Sequence, residues 1–146
     1  RTNTEVLSED DVFSMGDGEV VPLHLPGHTS DGMGFHIPHL STLIVGALLP
    51  RADRPTRWDM PGGSLVEVVD SYKRMKRLNL SSIVPLQGPA IRGESHVREV
   101  LDRHLAFYEE AVRNEGCPPA SWDRPASTAV WLTPRSPWPL EEQEAV

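Results

Sequence analysis

The sequence predicts a layered α/β domain whose elements run β-β-β-α-β-α, with helices covering one face of a sheet. Three observations lead there. Short runs bounded by turns recur between residues 19 and 46, two of them rich in β-branched residues. Two stretches with apolar residues at helical spacing, 65–78 and 95–115, flank one short apolar run at 82–86. Beyond Cys117, six prolines fall between residues 118 and 139, which no packed layer accommodates.

Residues 1–18 form a polar amino-terminal segment, with SEDD at 8–11 and the turn signal GDG at 16–18. The first strand is 19–25, EVVPLHL, where Pro22 predicts an edge position or a bulge. Strands at 33–37 (MGFHI) and 42–46 (TLIVG) follow. The loop 48–63 is long and carries Arg51, Arg54, Arg57 and Trp58 before ending in PGGS. Ser64 and Glu67 then have the spacing of a capping box. The helix they open carries Leu65, Val68, Val69, Tyr72, Met75 and Leu78 on one face. Lys73, Arg74, Lys76 and Arg77 sit in its last turns, where positive charge suits the helix dipole. After the strand SIVPL, QGPAIRG reads as a turn. The longest helix carries Val97, Val100, Leu101, His104, Leu105, Tyr108, Ala111 and Val112 as its stripe, and Gly116 stops it. Residues 117–146 read as an extended or disordered tail, with Trp122, Trp131 or Trp138 available to dock on the body.

Composition narrows the function classes. The 146 residues are the length of one domain, and a hydrophobic share of 38% allows a modest core. A net charge of −7 argues against nucleic acid and against an anionic membrane surface as partners. No apolar run reaches the roughly 20 residues of a membrane span, and no signal-peptide pattern is visible. The lone Cys117 forms no internal disulfide, which fits a cytoplasmic location. The chain opens on Arg1 rather than Met, as a fragment, a processed chain or a trimmed one would.

The chemistry is concentrated in six histidines, four of them between His24 and His39. His28 stands in a Pro-Gly-His-Thr turn at the mouth of a strand, a bend that aims an imidazole. His104 lies mid-stripe and reads as a partly buried packing residue. His39 and His96 read as surface residues. Ser64 serves better as a cap than as a nucleophile, since no nucleophile elbow surrounds it. Cys117 has no activating cation beside it.

Taken in series, LPGHTSDGMGFHI, TLIVGALLP, DSYKRMKRL, SSIVPLQGPAI and HVREVLDRHLAFYEEAV resemble the carboxyl-terminal half of a metallo-β-lactamase-fold hydrolase. The thioesterase, lactonase and glyoxalase-like members are the nearest in pattern. The resemblance covers residues 19–116, a half-domain, and implies half of a four-layer αββα sandwich with a metal site along the shared sheet edge. It implies that His28 is a metal ligand. At the family's next ligand, an aspartate after a glycine, this chain has Ala47 behind Gly46. At the last, a histidine in a P-G-H-G-P turn, it has Gln87. The amino-terminal H-x-H-x-D-H motif is absent.

Three readings follow. The first is a degenerate or partial member without hydrolase activity as this chain alone and with no cofactor of its own. The second is part of a metal-dependent hydrolase of thioester, lactone or similar ester substrates. It would hold zinc or another divalent metal once the missing half is supplied. The third is an unrelated small binding domain. A half-sandwich leaves one sheet face open, so a second copy or a partner chain is expected to cover it. The loop 48–63, with Arg51, Arg54, Arg57 and Trp58, is the place expected to touch an anionic ligand, and Arg54, Arg57 and Trp58 are its candidate substrate-binding residues.

Overall fold

A computed structural model describes residues 8–117. These residues form a six-stranded sheet whose strands lie side by side in sequence order. They are β1 (Phe13–Met15), β2 (Gly18–His24), β3 (Met33–Ile37), β4 (Thr42–Val45), β5 (Ser82–Val84) and β6 (Ile91–Arg92). A 3-10 turn, Pro38–Leu40, joins β3 to β4. All neighbours are antiparallel except β4 and β5, which run parallel. A parallel pair needs a crossover, and α1 (Leu65–Arg77) supplies it. The second helix, α2 (Glu94–Arg113), closes the described part.

The predicted elements are found with small shifts of their ends. Two strands were not foreseen: β1 lies inside the polar amino-terminal segment, and β6 lies inside the stretch read as a turn. With three and two residues, neither is long enough to show an alternating pattern. Ser64 caps α1 as expected, accepting a hydrogen bond from the Glu67 N–H at 3.3 Å. Pro22 sits in β2 between two strands rather than at the sheet's rim, yet the reason for the expectation holds locally. β1 ends opposite Val20, and two residues past Pro22 the His24 N–H points away from β3 to the Glu9 carboxylate at 2.6 Å. Pro22 has its missing N–H on that same unladdered side, so no ladder bond is lost.

The register explains where the core sits. Val21, His36, Leu43, Ile83 and Ile91 form one row across β2 to β6, and Leu23, Gly34 and Val45 form the next. The apolar members of both rows pack with Val68, Tyr72 and Met75 of α1 and with Val97, Val100, Leu101, Leu105 and Tyr108 of α2 in a single cluster. The alternate row, Pro22–Phe35–Ile44–Val84, lies on the other face. No helix covers it among the described residues: Ile44 is 41% and Val84 37% exposed.

The expected docking of Trp122, Trp131 or Trp138 and the extended tail lie outside the described residues. No helix in the described part is long and apolar enough to cross a membrane.

Candidate functional site

Because β2, β4 and β5 point the same way, the loops that leave their carboxyl ends gather at one edge of the sheet. His28 is in the first of these loops. Its turn is set from both sides. The Leu25 N–H bonds the Gly32 carbonyl at 2.8 Å, the Ser71 hydroxyl bonds the Pro26 carbonyl at 2.7 Å, and the Ser64 N–H bonds the Gly27 carbonyl at 2.8 Å. Gly27 has φ +140, and a Cβ there would stand 2.6 Å from the Val68 backbone nitrogen. Only glycine lets this turn rest directly on the first turn of α1.

The imidazole is oriented through one nitrogen. Its Nδ1 is 3.0 Å from the Arg57 carbonyl and 3.1 Å from Thr56 Oγ1. A carbonyl only accepts, so Nδ1 carries the proton. The Thr56 hydroxyl donates to the Ala47 carbonyl at 2.8 Å, which leaves its oxygen free to accept from the ring. In the neutral ring Nε2 then keeps its lone pair, the orientation of a ligating or proton-accepting imidazole. His28 borders a cavity of about 60 Å³ with Leu25, Thr29, Gly32, Met33, Ala47 and Leu48. It has room for water or a group of similar size, far below the roughly 300 Å³ of a typical ligand pocket.

Buried side chains hold the loop between β4 and α1. The Tyr72 hydroxyl donates to the Leu48 carbonyl at 2.8 Å, His104 Nε2 lies 2.7 Å from the Ala52 carbonyl, and the Thr56 N–H donates to the Tyr108 hydroxyl at 2.8 Å. The rings of Tyr72 and His104 are stacked, with centroids 5.6 Å apart. Burial pushes both tyrosine hydroxyls well above their ordinary pKa. They act as fixed neutral donors and acceptors.

The anion-contact candidates separate. Trp58 is 8% exposed and packs edge-on against Phe107 and Tyr108, so its ring belongs to the core. Arg57 grips Asp59 through two bonds of 2.9 Å, which hold the Asp59 carboxyl below its usual range. Arg54 is half-buried and makes no ion pair among the described residues. Gln87 is exposed, and its N–H bonds the Pro50 carbonyl at 2.8 Å. Elsewhere, the His24 ring bonds the Ser30 carbonyl at 2.8 Å, and desolvation lowers the pKa of His36. Sequence reasoning missed Thr56, the hub that links His28, Ala47 and α2. A threonine in an irregular loop has no periodic signal to find it by.

A metal centre needs several converging donors. The cavity beside His28 offers a methyl group at Ala47 and apolar or weakly donating walls. Among the described residues no three His, Cys, Asp or Glu side chains are grouped to hold an ion. Among the described residues, the donors around this cavity do not make a metal site by themselves.

The sequence model of the Metallo-beta-lactamase superfamily matches residues 2–87, more than half of the 146-residue chain. The chain belongs to the metallo-β-lactamase superfamily. That membership removes the reading of an unrelated small binding domain. An uncharacterized protein of Aquifex aeolicus is 44% identical over 69 residues, covering 47% of this chain and 32% of that protein. The fold also matches solved structures. ETHE1 from Myxococcus xanthus superposes with a TM-score of 0.58 at 19% identity, over 77% of this chain and 52% of that one. TTHA1623, solved in a di-iron-bound form, gives 0.54 at 26% identity, over 68% and 48%. The chain thus spans about a third of the curated relative and about half of the two solved structures.

Proposed function

We propose that this chain is the carboxyl-terminal half of a metallo-β-lactamase-fold protein whose metal positions at Ala47 and Gln87 are lost, and that by itself it hydrolyses nothing. The observation that carries this reading is the wall of the His28 cavity, where hydrocarbon stands in place of a carboxylate. Alanine has no lone pair, and a glutamine amide is a weak zinc donor beside imidazole. One imidazole does not hold zinc against water. Without a bound cation, water keeps its ordinary acidity and no hydroxide is supplied at neutral pH. The chain therefore takes no cofactor alone, and its open sheet face is the place for a second copy or a partner chain.

A second reading draws support from the His28 ring itself. Its Nδ1 is pinned and its Nε2 is left with a lone pair, as in a ligand awaiting a cation. On this reading an H-x-H-x-D-H half, upstream or on another polypeptide, completes a zinc-dependent hydrolase of a thioester, lactone or similar ester. Arg54 and Arg57 would then face an anionic part of the substrate, with Trp58 bracing their loop from the core side.

Zinc calorimetry on the chain tests the first reading. The wild type is expected to bind no zinc more tightly than about micromolar, and Ala47→Asp/Gln87→His is expected to gain a stoichiometric site. Tight one-to-one zinc in the wild type, abolished by His28→Ala, would defeat the first reading.

A further inference from the structure

The loop after β4 contains a tight hairpin that the metal question does not touch. Arg51 and Arg54 form an isolated antiparallel bridge, closed by the Arg54 N–H on the Arg51 carbonyl at 3.1 Å. Residues facing each other in such a bridge project to the same side, with Cβ atoms about 5 Å apart. Both side chains are cationic, and like charges directly opposite each other destabilise the pair.

Local partners offset only part of this. Arg51 Nε lies 2.9 Å from Asp53 Oδ1, whose side chain is fully buried, though the angle does not make a hydrogen bond. Among the described residues Arg51 has no ion pair beyond the one with Asp53, and the Arg54 guanidinium has none. Arg54 Nε is also shut off from water. A cationic N–H buried without an acceptor is costly, and it calls for an explanation. The turn after β5 adds a wall: Gly88, at φ +83, lies so close that a Cβ would stand 3.2 Å from Arg51 Cγ and Cζ. A protein of net charge −7 does not gather anions through its overall field, so a local pair of cations is the feature that would.

We propose that Arg51 and Arg54 form a clamp for a small oxyanion, a carboxylate or phosphate group on a ligand that reaches the loop edge of the sheet. The planar fork of each guanidinium matches the paired oxygens of either group. An anion between the two side chains removes the like-charge repulsion and is held by the terminal nitrogens of the two forks. Arg51 sits under the Gly88 turn, so it sets the floor, and Arg54 closes from the opposite strand of the hairpin.

The test is a titration of the full chain at low ionic strength with inorganic phosphate and, separately, with succinate. Calorimetry and the arginine Nε–H resonances report binding. Saturable one-site binding of at least one probe is expected, with shifts at Arg51 and Arg54, and the tighter probe identifies the group. Arg54→Gln is expected to weaken it about tenfold or more, for the loss of a charge-assisted hydrogen bond. Arg54→Lys, which keeps the charge and loses the fork, is expected to fall between. Arg77→Gln, at the far end of α1, is expected to change nothing. Absence of saturable binding for both probes overturns the clamp. So does unchanged affinity in Arg54→Gln, or in Arg54→Lys should the first variant not fold in thermal melts.

Discussion

His104 shows how much one buried side chain settles. It is fully buried on α2, its Nε2–H donates to the Ala52 carbonyl, and its Nδ1 faces the hydroxyls of Tyr72 and Tyr108 at 3.3 and 3.5 Å. Loss of hydration pulls its pKa from 6.5 down to about 3. The unfolded chain takes up this proton near pH 6.5 while the folded chain refuses it, so stability falls as pH drops from there toward 3. The slope is about 1.4 kcal/mol per pH unit below pH ~6. Glu9 and Asp59, both held below their usual pKa by arginines, add acid sensitivity only at lower pH. Urea melts between pH 7 and 4.5 are therefore expected to show a loss already above pH 5. His104→Phe should be less stable at pH 7 yet flatter across that window, and an equal slope in both proteins would refute the assignment. Helical spacing put His104 on the buried face, so its burial was legible in the sequence. Its acceptor was not, because Ala52 lies 52 residues away in an irregular loop. His28 was legible for the opposite reason: a Pro-Gly pair before it announces a bend.

At the scale of elements, the helices and the longer strands could be read because amphipathic spacing and the Ser64 cap are written in local order. The loop between β4 and α1 could not, since distant partners fix its shape. Tyr72, His104 and Tyr108 each reach a backbone group of that loop, and Thr56 ties it to His28. The sequence expectation grouped Trp58 with the arginines of that loop as a candidate ligand contact. It is buried because Phe107 and Tyr108, on a helix nearly fifty residues later, offer it an apolar seat. Tyr108→Phe is expected to destabilise the fold by about 1–3 kcal/mol, since it strands the Thr56 N–H in a dry place. Denaturation of the purified variant measures this. A change below about 0.5 kcal/mol would mean that the loop does not lean on α2.

At the scale of the whole molecule, helices stand on one side of the sheet and the row Pro22–Phe35–Ile44–Val84 on the other. The two amphipathic helices made one covered and one open sheet face foreseeable, but which strand residues line each was not read from the sequence. What meets the second face is not encoded in any local pattern of this chain. An apolar row of this kind drives association when left in water. Sedimentation is expected to show concentration-dependent self-association of the chain, and Ile44→Glu to shift it toward monomer without lowering the melting temperature by more than a few degrees. A wild type that stays monomeric at every concentration would leave the row without that role.

Gly27 has one more consequence, mechanical rather than chemical. With no side chain between the His28 turn and Val68, there is no compliant layer between them, so a slide of α1 along its axis is transmitted to the imidazole almost undamped. The same helix is moored at its other end, where Arg74 grips Glu9 and the His24 carbonyl. Tension on the segment around Glu9 would therefore bear on the helix that seats the ring, at a point the eye would place far from it.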